Sequence, residues 1–335
     1  MKSSSKIKLT FYLLGFAGAA LFTVLLIREG AARVMQAFVT PEWVIAGIVA
    51  YHSIPIFLDT LAWWVLFPKS HRVPLFQLFW MRWIGESVST LVPSAAVGGD
   101  IVRARLAAIK GAPLSIAAGT VIVDLTLGVF ITAGFSILGL LLLVHATGQT
   151  RFVGPSLLGI VIALCAFAGF YFAQRWGMFG FVGRIIARLA SSPEWQAMSE
   201  HGETLDETVR SLYARRSALV ACCVWTILSL GLISVEIWIA LYAMDLPASL
   251  LNALILQSTV FTIRSAAFAV PGGLGVQEGG YVLVGSLLGI PGESAFALSL
   301  IARLRELGFG IPGLIAWQVI EGRRLLSARA ETTPS

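Results

Sequence analysis

The chain has 335 residues, 57% of them hydrophobic and only 13% charged, and its mean hydropathy is +0.84. Soluble domains carry roughly a quarter charged residues, so soluble, disordered and collagen-like classes are excluded and a bilayer-embedded helical protein is expected. The net charge of +6 lies in short clusters between apolar runs, a pattern of membrane topology and not of nucleic-acid binding.

The uncharged run from Leu9 to Ile27 matches the hydrocarbon thickness of a bilayer. It predicts a first spanning helix, too long for the apolar region of a cleaved leader. Runs from Trp43 to Phe67, Leu114 to Val144, Gly154 to Ala173 and Ala218 to Met244 predict spans two to five. A sixth, Glu293 to Ile320, is interrupted by Arg303, Arg305 and Glu306, and Pro312 is expected to kink it. Charges inside a span point to function or to burial against protein. The Trp residues at 43, 63, 64, 176 and 317 are expected to anchor span ends at the interface.

With both termini in the cytoplasm, only Arg28, Arg33 and Arg151 fall outside, which satisfies the positive-inside rule. Residues 174–217 then form a cytoplasmic interfacial segment and 323–335 a cytoplasmic tail of one transmembrane domain, 1–335. Within 174–217, Phe179, Val182, Ile186 and Leu189 against Arg184 and Arg188 predict a helix lying in the interface. The stretch from Glu203 to Arg216 predicts a charged extension of span five.

Two segments do not fit simple spans. Phe76 to Lys110 reads as a helix to Val92, a break at Pro93 within PSAAVGGD, and a returning helix too short to cross a bilayer. Leu250 to Ile290 repeats that plan, with a helix to Val270 and a break at Pro271 within PGGLGVQE. A constant offset of 178 joins Ser87 to Ser265, Val92 to Val270, Pro93 to Pro271, Asp100 to Glu278, Gly111 to Gly289, Pro113 to Pro291 and Ala117 to Ala295. The first hairpin enters from inside and the second from outside. The expected fold class is therefore all-α: about six full spans plus two re-entrant hairpins in an inverted repeat, with halves at about 43–144 and 218–320. Broken helices in inverted repeats are the architecture of alternating-access transport, where free N–H groups at half-helix ends hold an anion.

The pattern PSAAVGGDIVR, with PGGLGVQE and the later Arg303, resembles the lysylphosphatidylglycerol synthase transmembrane-region family over nearly the whole chain. That family includes the flippase half of the multiple-peptide-resistance factors. The resemblance implies a lipid translocase of the bacterial inner membrane, and PGGLGVQEGGYVLVG resembles its hopanoid-biosynthesis-associated subgroup. Ser94 departs from the Gly expected after Pro93, which stiffens the first loop. The sequence ends at Ser335, soon after the last predicted span, so the soluble aminoacyl-transfer domain and lysyl transfer from tRNA are not expected.

The ligand-binding candidates are Arg82, Glu86, Pro93, Gly98, Gly99, Asp100 and Arg103 of the first hairpin. Those of the second half are Arg264, Pro271, Gly272, Gly273, Gly275, Glu278 and Arg303. Asp100, Arg103, Glu278 and Arg303 are expected around one central polar cavity, and Arg82 is expected to pair with Glu86 four residues on. Asp59, Asp124 and Glu236 are lone intramembrane acids suited to proton coupling, or to a hydrogen bond with a neighbouring helix, and His52 is expected to be a packing residue. No HExxH helix, Ser/His pair or Cys/His arrangement occurs, so no catalytic residue, metal or cofactor is expected. The expected partner is a membrane lipid, with a second copy or lipid-synthesis enzymes as protein partners. A lipid-modifying enzyme and a scaffold for lipid synthesis are the alternative readings.

Overall fold

The structure, a computed structural model, describes residues 21–30, 32, 42–92, 98–148, 153–178, 181, 193–246, 249–267 and 270–331. Residues 21–29 are helical, and eleven helices follow. They are α1 (Glu42–Tyr51), α2 (Ser53–Trp64), α3 (Leu75–Leu91), α4 (Gly98–Ile109), α5 (Leu114–Thr147) and α6 (Val153–Arg175). Then come α7 (Pro193–Ala214), α8 (Arg216–Ala243), α9 (Leu250–Ala266), α10 (Val276–Leu287) and α11 (Gly292–Glu331). No strand occurs among the described residues. The protein is all-α, polytopic and membrane-embedded. Among the described residues four stretches are long and apolar enough to cross a bilayer: Glu42–Trp64, Leu114–Thr147, Leu157–Arg175 and Arg216–Ala243. Most of the first expected span, the interfacial helix around Phe179 to Leu189, and Pro93 lie outside the described residues.

Span two is interrupted at His52, because Pro55 has no N–H to offer the Tyr51 carbonyl. Its ladder is otherwise held by His52 N donating to Ile48 O at 3.0 Å and Ser53 Oγ to Ala50 O at 2.6 Å. Pro312, where a kink was expected, lies inside the single helix α11, and beside it Trp83 Nε1 donates to Phe309 O at 2.9 Å.

The 178-residue repeat extends to individual backbone bonds. After α4, Gly111 turns at φ +98°, and Ala112 N donates to Ala107 O at 3.2 Å. After α10, Gly289 turns at φ +79°, and Ile290 N donates to Gly285 O at 2.9 Å. Both are left-handed helix closures that favour glycine. The next helices start alike, with Ala117 N on Pro113 O and Ala295 N on Pro291 O, each at 2.9 Å. In the first hairpin α3 and α4 touch backbone to backbone, since a side chain at Gly99 would overlap the Gly85 carbonyl.

The halves meet head to tail. His52 contacts Glu236, Pro55 O accepts from Ser229 Oγ, and Leu66 O accepts from Arg215 Nη1, so α2 and α8 run antiparallel. Equivalent helices that cross antiparallel relate the halves by inversion. The other contacts obey the same exchange. On α9 against α5, Thr262 meets Ser136 and Gly139 abuts Ser258; on α11 against α3, Gly313 abuts Ser87 and Gly310 abuts Leu91. Each crossing is antiparallel, with small residues letting the backbones approach. The two largest apolar cores among the described residues lie one around Trp63, Phe67, Leu78 and Ala117, the other around Leu256, Val284, Ile290 and Ala295. Trp63 is fully buried in the first, correcting its assignment as an interfacial anchor.

The charged segment before span five is not its extension. Arg215 leaves helical geometry at φ −86°, ψ 69°, and α7 packs against α5 and α6 with Val209 and Leu212 buried. The turn is fixed by Arg215, whose guanidinium caps the free carbonyls at the end of α2, at 2.6 Å to Leu66 O. Helix α7 covers Gly119 through Thr208 and Leu212, while Phe22, Leu25 and Leu26 cover Phe296 and Ala297. Gly119 and Ala297 are equivalent under the offset, so α7 is the counterpart of the N-terminal helix.

Candidate functional site

Long spans bring charges to the interior that no local spacing would join. In the first half, α2 supplies Asp59, α3 Arg82, α4 Asp100 and Arg103, and α5 Asp124. Asp124 Oδ2 accepts from Arg103 Nη1 at 2.6 Å and from Arg82 Nη1 at 2.8 Å. Arg82 Nη2 also reaches Asp59 at 3.4 Å, and Arg103 holds Asp100 through Nε at 2.9 Å and Nη2 at 2.8 Å. The Cys222 thiol of α8 donates to Asp124 Oδ1 at 3.9 Å, and the Arg103 guanidinium lies 5.2 Å from the Trp63 ring centre. The network holds two arginines and three aspartates.

The second network gathers on α10 and α11. Glu278, fully buried in the first turn of α10, accepts from Arg303 Nε at 2.8 Å. Arg303 Nη1 donates to Gly272 O at 2.6 Å and to Glu306 at 3.0 Å. Glu306 also binds Arg264 of α9, which donates to Gln277 Oε1 at 2.8 Å. The series continues through Arg305, which donates to Glu236 at 2.8 Å and reaches His52 Nδ1 at 3.1 Å. Three arginines face three glutamates. Three buried atoms of this network have no hydrogen-bond partner among the described residues: Glu278 Oε2, Arg303 Nη2 and Arg305 Nε. Unsatisfied polar atoms of this kind are costly in a membrane interior.

The break beside them is built from glycines. Gly272, Gly273 and Gly275 take φ of +62°, +59° and +74°, and Gly273 lies against the Arg264 side chain, so only glycine fits the conformation and the space. Pro271 opens the 3-10 turn that holds Gly272 and Gly273. In the first hairpin Gly98 and Gly99 begin α4.

Several expectations need correction. Asp100 with Arg103, and Glu278 with Arg303, belong to two networks, and among the described residues no ion pair joins them into one centre. Along α2, His52 and Asp59 are separated by about 10 Å of helical rise. Arg82 pairs with Asp59 and Asp124 in place of Glu86, which stays half-buried nearby. Asp59, Asp124 and Glu236 are not lone acids, each being paired with arginine. His52 is a member of the second network, 2.7 Å from Glu236, with the edge of its ring on Phe309. Arg103 is buried.

Sequence reasoning also missed Arg305, Glu306 and Gln277 as site residues. The usable signal was the three-residue step from Arg303 to Glu306, which puts opposite charges on one helix face.

No curated protein and no solved structure matches the chain. A family profile described as "Lysylphosphatidylglycerol synthase TM region" matches residues 12–313, the span that holds both hairpins and every residue of the two networks. The chain belongs to the lysylphosphatidylglycerol synthase transmembrane-region family.

Proposed function

We propose that this protein is a lipid translocase of the bacterial inner membrane, with both termini in the cytoplasm. It carries an anionic or amphipathic lipid between leaflets. The polar headgroup passes between the two hairpins, while the apolar tail stays in the bilayer, which avoids drawing the headgroup through hydrocarbon. Membership of the family supports a lipid-related role.

The observation that carries the reading is the pair of unpartnered buried atoms Glu278 Oε2 and Arg303 Nη2, on residues tied to the glycine break at 272–275 through the bond from Arg303 to Gly272 O. A purely structural network would close on itself. The unpartnered Nη2 of Arg303 suits a phosphate or carboxylate oxygen, and Glu278 suits a hydroxyl or ammonium of the same headgroup. The paired Asp59 and Asp124 are the groups to which ion coupling is assigned, because their network carries more carboxylates than arginines. Hopanoid-type lipids are within the substrate class, and the reading is of a carrier and not of an enzyme.

The test is leaflet-resolved lipid analysis of cells with and without the protein. Transport predicts that one lipid changes its distribution between leaflets while its total amount stays constant. A change in the chemical structure of a lipid at unchanged distribution would instead establish an enzyme.

A further inference from the structure

Span two breaks at His52, between α1 and α2, inside the apolar stretch Glu42–Trp64. The break does not belong to the repeat. Under the 178-residue offset His52 and Pro55 correspond to Leu230 and Ile233 of α8, which runs unbroken from Arg216 to Ala243. Interrupted spans of this kind hold coupling ions in alternating-access carriers.

His52 is buried there, and one nitrogen of its ring meets two partners. Its Nδ1 lies 2.7 Å from Glu236 Oε1 and 3.1 Å from Arg305 Nη1. Glu236 is the ion-pair partner of Arg305, at 2.8 Å, and a carboxylate only accepts. The shorter contact therefore assigns a proton to Nδ1, which donates to Glu236 and leaves Arg305 beside it as a second donor. A further proton goes to Nε2 and makes the ring an imidazolium. The groups that face His52 are Glu236 of α8 and Arg305 and Phe309 of α11. Around Glu236 and Arg305 lie Glu306 of α11, Tyr281 of α10 and Tyr51 of α1.

Without His52 the paired charges of this network balance: Arg264, Arg303 and Arg305 stand against Glu236, Glu278 and Glu306. A headgroup phosphate on Arg303 Nη2 adds a negative charge to a membrane interior, where net charge is costly. A proton on His52 offsets it through the series His52, Arg305, Glu306 and Arg303.

We propose that His52 is a proton-binding site of this protein, charged when an anionic headgroup sits on Arg303 and neutral when it does not, so that proton and lipid are taken up together. The proposal rests on the headgroup reading of Glu278 and Arg303. It adds to Asp59 and Asp124 a coupling group in the headgroup's own network. Linkage makes the effect reciprocal: the bound anion favours the charged ring, and the charged ring favours the anion.

Binding of short-chain phosphatidylglycerol to the full chain in a neutral detergent, measured at about pH 5.5 and about pH 8, tests it, because histidine changes charge over this range while the phosphodiester does not. The wild-type chain binds about tenfold more tightly at the lower pH, a coupling of ordinary size. In weakly buffered solution near neutrality, the same binding draws protons from solvent and turns it more alkaline. His52→Asn and His52→Gln bind equally at both pH values and draw no proton. Equal wild-type binding at both pH values, with no proton drawn, overturns the proposal and leaves the headgroup reading standing. A pH dependence that survives in both variants also overturns it, because the proton would then sit on another group such as Asp59 or Asp124. Absence of wild-type binding at either pH overturns the headgroup reading and this proposal with it.

Discussion

Replacing Arg303 with alanine is expected to reduce lipid translocation by about a hundredfold, the effect of losing interactions worth about 3 kcal/mol. Arg303 ties Glu278 to the glycine break, through Glu278 Oε1 at 2.8 Å and Gly272 O at 2.6 Å. Its loss leaves a fully buried carboxylate without a cation, so the single variant also becomes less stable. The double variant Arg303→Gln with Glu278→Gln separates the two effects. It restores the thermal midpoint, because no charge is left unpaired, but not transport, because the guanidinium nitrogen that holds the headgroup is gone. Lysine at 303 rescues only part of the activity, since it supplies charge without the planar donor pair. Transport assayed in vesicles and melting followed in detergent read these outcomes, and full transport in the double variant would reduce the network to a structural staple.

The largest loss of stability is expected at Asp124. Its carboxylate accepts from arginines on two helices, Arg82 of α3 and Arg103 of α4, while the Cys222 thiol of α8 donates to its other oxygen. Removing one partner of a buried ion pair costs about 3–5 kcal/mol, and here one substitution unpairs two guanidinium contacts at once. Asp124→Ala should therefore lower the thermal midpoint more than Asp100→Ala. Asp100 is the more exposed acid, at 23% against 8% for Asp124, and among the described residues its ion pair is with Arg103. Asn at 124 should be milder, because it keeps one acceptor oxygen. Equal melting of the Asp124→Ala and Asp100→Ala variants would contradict this account of Asp124 as the junction of α3, α4 and α5.

The hairpins were legible because each is written locally: an apolar helix, a proline, a glycine-rich break, and a return too short to span. The structure shows the paired helices on either side of each break, α3 with α4 and α9 with α10, with the closures at Gly111 and Gly289 made by the same bonds. Apart from the local steps Asp100–Arg103 and Arg303–Glu306, the ion pairs were not legible, because they join residues far apart in the chain. Arg82 and Asp124 are 42 residues apart, Arg305 and Glu236 are 69 apart, and His52 and Glu236 are 184 apart. No spacing rule reaches such distances, so the acids looked solitary. Helix α7 was misread for a different reason. Its charges resemble a solvated extension, while the turn that makes it pack back depends on Arg215 finding the end of α2.

Inversion itself was inferred from counting spans, yet the structure expresses it through side chains. His52 beside Glu236 and Leu66 beside Arg215 orient α2 against α8, and serine or glycine at each remaining crossing sets the approach. A related sign exchange marks the two sites. In the first half the hairpin offers Arg103 to an acid on the long helix, Asp124; in the second the hairpin offers an acid, Glu278, to Arg303 of the long helix. The exchange keeps each pair neutral while the half that carries it is inverted.

The central claim is that these two opposed hairpins carry a lipid headgroup across the bilayer. The most direct test is reconstitution of the purified chain into vesicles that hold a headgroup-labelled phospholipid, with quencher added outside. The account predicts that the wild-type protein makes inner-leaflet lipid accessible to quencher, and that Arg303→Gln with Glu278→Gln, folded and reconstituted at equal density, leaves it protected as in protein-free vesicles. Equal exposure of the label in the wild-type and double-variant vesicles would contradict it.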